Sequence, residues 1–296
     1  MPSPRSSRRR RRSAFATRVG LLVLRLLAAL PRRLGLLLGA AAGSLYGLGA
    51  RRRRRIVADN LRLCFPALDT RARRRLARAH FRALGMGLVE AAWSWWRSDR
   101  GLPPCTINGL EHLEEALAHG RGAVLFTGHF TTLDLGGRLL ARRTPIVVLY
   151  RPADDPVFNR ALVAGRAAHA ARIVARDDVR GLLRVLRENL PVWYAPDQGR
   201  TGPNTALVPF FGVPAPTQLS LGRLVEASGA AVVPFFPERL PGGHYRLRLA
   251  PALEGLPGAD PAADATRLNA ILEEAIRRVP EQYLWVHDRF KRHRRP

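Results

Sequence analysis

Lysine is almost missing from this chain: of its 49 basic residues only Lys291 is a lysine. Acid is missing from the amino end. Fifteen arginines fall between Arg5 and Arg55, before the first acidic residue at Asp59. The net charge of +26 is therefore nearly all guanidinium and is unevenly spread. Guanidinium forks pair with phosphates and carboxylates. That leaves nucleic acid, an anionic membrane surface or an anionic substrate as the partner. Cysteine is scarce as well. Cys64 and Cys105 are too few for a disulfide framework and lack metal-ligand spacing. No A-x-A-like cleavage site followed by a mature exported start is evident, so a removed signal peptide is not expected. No internal repeat is visible.

What the chain does have is enough apolar residue, 47% of 296, to bury one large core or two small ones. Residues 1–18 are rich in Arg, Ser and Pro and are expected to be disordered. Residues 19–55 hold two apolar runs, Gly20 to Leu30 and Leu34 to Ala50, separated by Pro31, Arg32 and Arg33. The second is seventeen residues long, short of the roughly 20 a spanning helix needs. Together the runs predict a membrane anchor, either a tilted span or a hairpin in one leaflet. The flanking arginines predict that the main domain stays on the cytoplasmic side. The competing reading is a buried helical hairpin of a soluble domain. Arg8 to Arg12 and Arg51 to Arg55 also suit non-specific phosphate binding. No zinc pattern, helix-turn-helix cue or aromatic RNA-binding strand accompanies them, so nucleic acid is the weaker partner.

Residues 56–296 carry the chemistry. Ile56 to Trp96 reads as helical, broken at Phe65-Pro66 and restarted by an Asp69-Thr70 cap. Gly85 to Trp96 is apolar and aromatic, and reads as core or as an acyl-facing surface. From Cys105 the pattern alternates. Short strands are expected at Thr106–Leu110, Val124–Phe126, Ile146–Tyr150, Pro191–Ala195, Leu207–Phe211 and Ala231–Phe236, with an edge strand at Tyr245–Leu249. Helices are expected at 111–120, 156–171, 179–189, 217–228 and 264–279. Such alternation implies an α/β fold, a mostly parallel central sheet flanked by helices.

The polar residues fall at strand ends. AVLFTGHFTTLDLGG, from Ala123 to Gly137, places His129 just past a buried strand and Asp134 five positions later. On one regular helix five residues are about 140° apart. A loop is therefore needed to bring imidazole and carboxylate together. Arg151 ends the next strand; Asp197, Gln198 and Arg200 follow the one after. In a parallel sheet these converge on one edge, where α/β ligand sites lie.

At these residues the chain resembles a known family. GHFTTLD matches the H-x4-D signature of glycerolipid-type acyltransferases. RRIVADNLRLCFPAL, GMGLVEAAW, YRPADDP, VWYAPDQG, LVPFFGVPAPT and PEQYLWVHDRFKRHRRP make the likeness specific. Together they look like the lipid A late acyltransferases of Gram-negative bacteria, from about Val19 to Phe290. The resemblance implies a glycerolipid acyltransferase-like fold on the cytoplasmic face of the inner membrane. It implies an acyl carrier protein thioester as donor and a Kdo-bearing lipid A precursor as acceptor. Neither metal nor cofactor is implied. A phosphatidylinositol mannoside or an ornithine lipid is the alternative acceptor.

An alcohol is a poor nucleophile at neutral pH. His129, with an ordinary pKa near 6.5, is the expected general base, and Asp134 is expected to orient it. Backbone amides from Gly128 to Thr132, or Arg151, are the expected oxyanion donors. Arg151, Arg166, Asp197, Gln198 and Arg200 are the expected substrate contacts, the arginines gripping acceptor phosphates or carboxylates. Many members carry a second acid after the APD aspartate; here Gly199 and Arg200 occupy that loop.

Overall fold

The computed structural model describes residues 4–198, 202 and 204–290, with side chains from residue 14 onward. Four helices open the chain. α1 (Pro4–Ala29) takes in most of the arginine-rich stretch expected to be disordered. Pro31, which suits a helix start but not an interior, stands at the entry to α2 (Arg32–Gly49). α3 (Arg51–Cys64) stops at the Phe65-Pro66 break. Asp69 then caps α4 (Thr70–Trp96), its carboxylate accepting the Ala72 amide at 2.6 Å.

α2 does not stand apart as an anchor. It lays Gly35, Gly39, Gly43 and Gly47, one buried residue per turn, against α4. A Cβ on Gly43 would lie 2.1 Å from the Phe81 carbonyl oxygen, and one on Gly85 would lie 2.0 Å from that of Gly39. Only bare backbone permits so close a crossing. The sequence reading of a spanning anchor is thus unsupported: among the described residues no helix is long and apolar enough to cross a membrane. α2 is part of the packed domain. Its outer face still exposes Leu37, Leu45 and Leu48, and α1 exposes Leu22, Val23 and Leu26.

The rest is the expected α/β alternation. β1 (Cys105–Asn108), α5 (Leu110–Ala118), β2 (Ala123–Phe126), α6 (Leu133–Leu140), β3 (Val147–Tyr150) and α7 (Pro156–Ala167) come first. β4 (Arg172–Ala175), α8 (Val179–Arg187), β5 (Pro191–Tyr194), β6 (Thr205–Phe210) and β7 (Val213–Gln218) follow. α9 (Ser220–Ser228), β8 (Ala231–Arg239), β9 (Tyr245–Leu249) and α10 (Pro261–Arg278) close the fold. Seven strands form one sheet in the order β1-β9-β8-β2-β5-β3-β4. The five from β8 to β4 are parallel, while β9 and β1 run the other way. β9, expected at an edge, instead lies between β1 and β8.

β2 lies inside the sheet with both faces covered, which explains its unbroken apolar run. Val124 and Phe126 point into a core with α8, α9 and α10, whereas Ala123 and Leu125 point into a second core with α4, α5 and α6. Two strands went unread in the sequence. β4 is a four-residue edge. β7 begins VPAPT, and its two prolines argue against a strand; they are tolerated because β6 and β7 form a separate two-stranded hairpin in which every strand is an edge. The helix expected from Thr217 therefore starts at Ser220.

Candidate active site

β2 and β5 are parallel neighbours with Phe126 opposite Tyr194. His129 lies three residues beyond the first and Asp197 three residues beyond the second. Equal offsets from a paired position put the two at the same level on the carboxyl edge. There His129 Nδ1 meets Asp197 Oδ1 at 2.5 Å, and the His129 backbone amide donates to Asp197 Oδ2 at 3.0 Å. One carboxylate thus fixes both the ring and the chain that bears it. The Tyr283 hydroxyl donates to the same Oδ2 at 2.9 Å. Asp197 and Tyr283 are buried; the imidazole keeps 28% of its surface exposed, enough to be reached.

The motif loop is clamped from behind. Phe130 pairs with Tyr283 as an antiparallel bridge. Thr131 donates its amide to the Gln282 carbonyl at 2.7 Å, and Leu284 donates to the His129 carbonyl at 2.9 Å. α4 presses in from the other side, where a Cβ on Gly87 would lie 2.5 Å from the Thr131 carbonyl oxygen. Below, Glu90 is fully buried and chelates Arg239, which also donates to Thr131 Oγ1 at 3.1 Å. The Tyr245 hydroxyl donates to Glu90, and Gln282 exchanges two hydrogen bonds with the Arg239 backbone.

Asp134 is not the carboxylate on His129. It sits in the first turn of α6 and accepts from Arg166 Nε of α7 at 2.8 Å, both side chains about one-fifth exposed. The pairing expected from the H-x4-D spacing is corrected accordingly: the loop brings Asp134 near the ring, but its partner is Arg166. Asp197, read from sequence as a substrate contact, is the group that clasps the His129 imidazole. Arg151 ends β3 in solvent, 3.7 Å from the fully exposed Asp154. Gln198 is half-buried beside Asp197. Arg200 lies outside the described residues. The amides of His129, Phe130 and Thr131 are already spent on Asp197, the Gly128 carbonyl and the Gln282 carbonyl, so they cannot serve as oxyanion donors.

Electrostatics separates the three hydrogen-bonded groups. Burial alone would lower the His129 pKa, but the charge and hydrogen bond of Asp197 raise it above 6.5; Arg166 opposes this and Asp134 assists. Burial alone would raise Asp197, yet His129 and the donors around it hold the carboxyl down near 2. Tyr283 is pushed well above 10, first by burial and then by Asp197, so its hydroxyl stays protonated as a donor.

Beside the Asp134–Arg166 pair is a small recess lined by Trp95, Ile146, Val148, Gly165 and Trp193 together with the polar Ser94, Arg138 and His169. Tyr283, Gln282, Glu90 and Arg239 were not singled out from sequence as site residues. Glu90 had a signal: it is a lone acid inside the apolar run GMGLVEAAWSWW, and a buried acid needs a cation.

A histidine on a sheet's carboxyl edge, held by a buried carboxylate and near an arginine–carboxylate pair, is placed to exchange a proton with a bound group. The chain belongs to the bacterial lipid A biosynthesis acyltransferase family, whose model matches residues 3–292. It is 36% identical over 280 residues to the lipid A biosynthesis lauroyltransferase of Escherichia coli K12, covering 94% of this chain and 92% of that one. The palmitoleoyltransferase of the same organism is 34% identical, with 94% and 91% covered. Its myristoyltransferase is 28% identical, with 84% and 77% covered. The protein is an acyltransferase of lipid A biosynthesis.

Proposed function

We propose that the protein transfers an acyl chain from an acyl carrier protein thioester to a hydroxyl of a Kdo-bearing lipid A precursor, with His129 as general base. The His129–Asp197 pair at the end of β2 and β5 carries this reading. Nδ1–H donates to Asp197, which leaves Nε2 as the basic nitrogen. The acceptor hydroxyl gives its proton to Nε2 as its oxygen bonds to the thioester carbonyl carbon. The carbon–sulfur bond then breaks, and the leaving thiolate takes the proton from Nε2. Asp197 stabilises the imidazolium formed between the two steps. Arg166, the cation whose field His129 feels, is available to the developing oxyanion or to an acceptor phosphate. Asp134 holds Arg166 in place. Exposed Arg151, half-buried Gln198 and, by its place in the sequence alone, Arg200 are assigned to the acceptor's phosphates.

The same reading places the protein on the cytoplasmic face of the bacterial inner membrane. The exposed leucines of α1 and α2, bordered by Arg18, Arg25, Arg32, Arg33 and Arg51 to Arg55, support an in-plane interfacial contact with anionic lipid. Arginines on the rim suit an acidic carrier protein.

The test is acyl transfer by the purified chain, given lauroyl–acyl carrier protein and Kdo-bearing lipid A precursor, read as the mass gain of the acceptor. His129→Ala should lose nearly all of it. Wild-type protein that leaves the acceptor unchanged while acylating an ornithine lipid would overturn the choice of acceptor. Full activity in folded His129→Ala would overturn the base.

A further inference from the structure

Tyr283 reaches the site from the far end of the chain, 154 positions after His129 by number, and among the described residues its hydroxyl donates to Asp197 Oδ2. Its ring is 3% exposed and is fixed edge-on by Phe130 at 5.7 Å and Trp285 at 4.8 Å between centroids. Its backbone is fixed too, by the bridge to Phe130 and by the Gln282 and Leu284 hydrogen bonds to the motif loop. The hydroxyl therefore cannot swing elsewhere. Packing alone would be served equally well by phenylalanine. The oxygen is extra, and it is aimed at the carboxylate that controls the base.

The structure assigns Tyr283 the part of a positioning residue that tunes His129: by donating to Asp197 Oδ2 it draws off negative charge that would otherwise bind a proton on the imidazole. This inference rests on His129 being the base. A carboxylate with fewer donors is more basic and holds an imidazolium more tightly. An overly stable imidazolium is a poor base, since catalysis wants the proton affinity near the working pH. Tyr283 supplies the counterweight. It stays protonated at every pH of interest, so it donates without titrating itself. Other charged or titratable groups around the trio are Asp134 of α6, Arg166 of α7, Arg289 beyond Tyr283, Cys64 of α3 and His80 of α4, whose pKa burial lowers to about 4 against the raising effect of the Tyr283 backbone. The first two are the Asp134–Arg166 ion pair. Arg289 is buried on the Pro216 carbonyl and Thr217, and burial keeps the Cys64 thiol neutral.

The experiment reads His129 itself and needs no substrate. Diethyl pyrocarbonate modifies neutral imidazole, and peptide mass mapping of the full chain follows modification at residue 129 against pH. Tyr283→Phe should move the midpoint upward by roughly half a pH unit or more. An unmoved midpoint in folded Tyr283→Phe overturns the inference, as does a downward shift. If Tyr283→Phe fails to fold, fluorotyrosine at position 283, a stronger donor of the same shape, should move the midpoint downward, and no shift would again overturn it. The acyl-transfer assay is separate. Wild-type protein without transfer refutes the proposed function, whereas the midpoint shift stands or falls alone.

Discussion

Asp197→Asn tests the site most sharply, because it keeps the shape and removes the charge. In the folded protein the carboxyl lies near 2 instead of 3.8 and the imidazole lies above 6.5. These are two views of one interaction and are counted once. A carboxyl held from 3.8 to about 2 corresponds to about 2 kcal/mol of folded-state stability. The carboxyl side of that stability is present above pH 3.8 and is lost as pH falls through about 2. The imidazole side is present below pH 6.5 and is lost as pH rises through its elevated value. The pair thus helps most between about pH 4 and 6.5. Asp197→Asn should cost about 2 kcal/mol in denaturant unfolding at pH 5 and less at pH 9.

Activity should change in a way that stability alone would not. With His129 as the proposed base, the acid limb of wild-type kcat/KM should lie above pH 6.5, since the imidazole must be neutral to accept a proton. Without the Asp197 charge, burial dominates and the limb should fall below 6.5. The plateau should still drop on the order of 10²–10⁴-fold, because the imidazolium loses its stabiliser and the ring its tautomer. Asp134→Asn should move the limb downward by less, since Asp134 is the smallest of the influences named on His129. A folded Asp197→Asn enzyme with an unmoved limb and an intact plateau would refute the assignment of Asp197 as the group that holds the base.

Other consequences are structural. Glu90→Gln should cost about 3–5 kcal/mol in guanidinium unfolding, because it leaves Arg239 buried without its counter-charge. Gly43→Ala should lower stability by about 1–3 kcal/mol by forcing α2 off α4, whereas Gly20→Ala, with nothing within 4 Å, should raise the Tm slightly, as alanine favours a helix by about 1 kcal/mol over glycine. Full chain should float with anionic vesicles and release as salt rises. Leu37→Asp and Leu45→Asp should weaken that binding at every salt concentration, and unchanged flotation would remove the outer face of α2 from the contact.

Much of the fold was legible because burial writes a pattern. Val124, Leu125 and Phe126 read as a strand since both faces of β2 are covered, and Asp69 announced the start of α4. β4 and β7 escaped because they are short or proline-bearing edges, where the sequence obeys looser rules. The fate of α2 was ambiguous for a plainer reason. Glycine every fourth residue with leucine between serves lipid and tight helix packing alike, and in this chain the glycines go to α4 while the leucines face outward. His129 was legible from its strand-end position. Its partner was not, since Asp134 is near in sequence and Asp197 is near in space. What would have exposed the pairing is the strand register, the equal offsets of His129 and Asp197 from Phe126 and Tyr194, and register is set by tertiary packing.

Two carboxylates beside one histidine invite the question of why the distant one holds it. Asp134 stands in the first turn of α6, where the helix end favours a negative charge, and it neutralises Arg166. If Asp134 turned to His129, Arg166 would lose its counter-charge within a part-buried site, and Asp197 would be left buried with only an amide and a hydroxyl for company. The observed pairing leaves neither cost. It also separates the proton affinities along the chain from Tyr283 to Asp197 to His129: the hydroxyl holds its proton, the carboxylate gives its own up well below its ordinary pKa, and the imidazole holds one above its ordinary value. In the proposed transfer, a proton arriving from the acceptor hydroxyl therefore rests on the imidazole, and the leaving thiolate takes it from there.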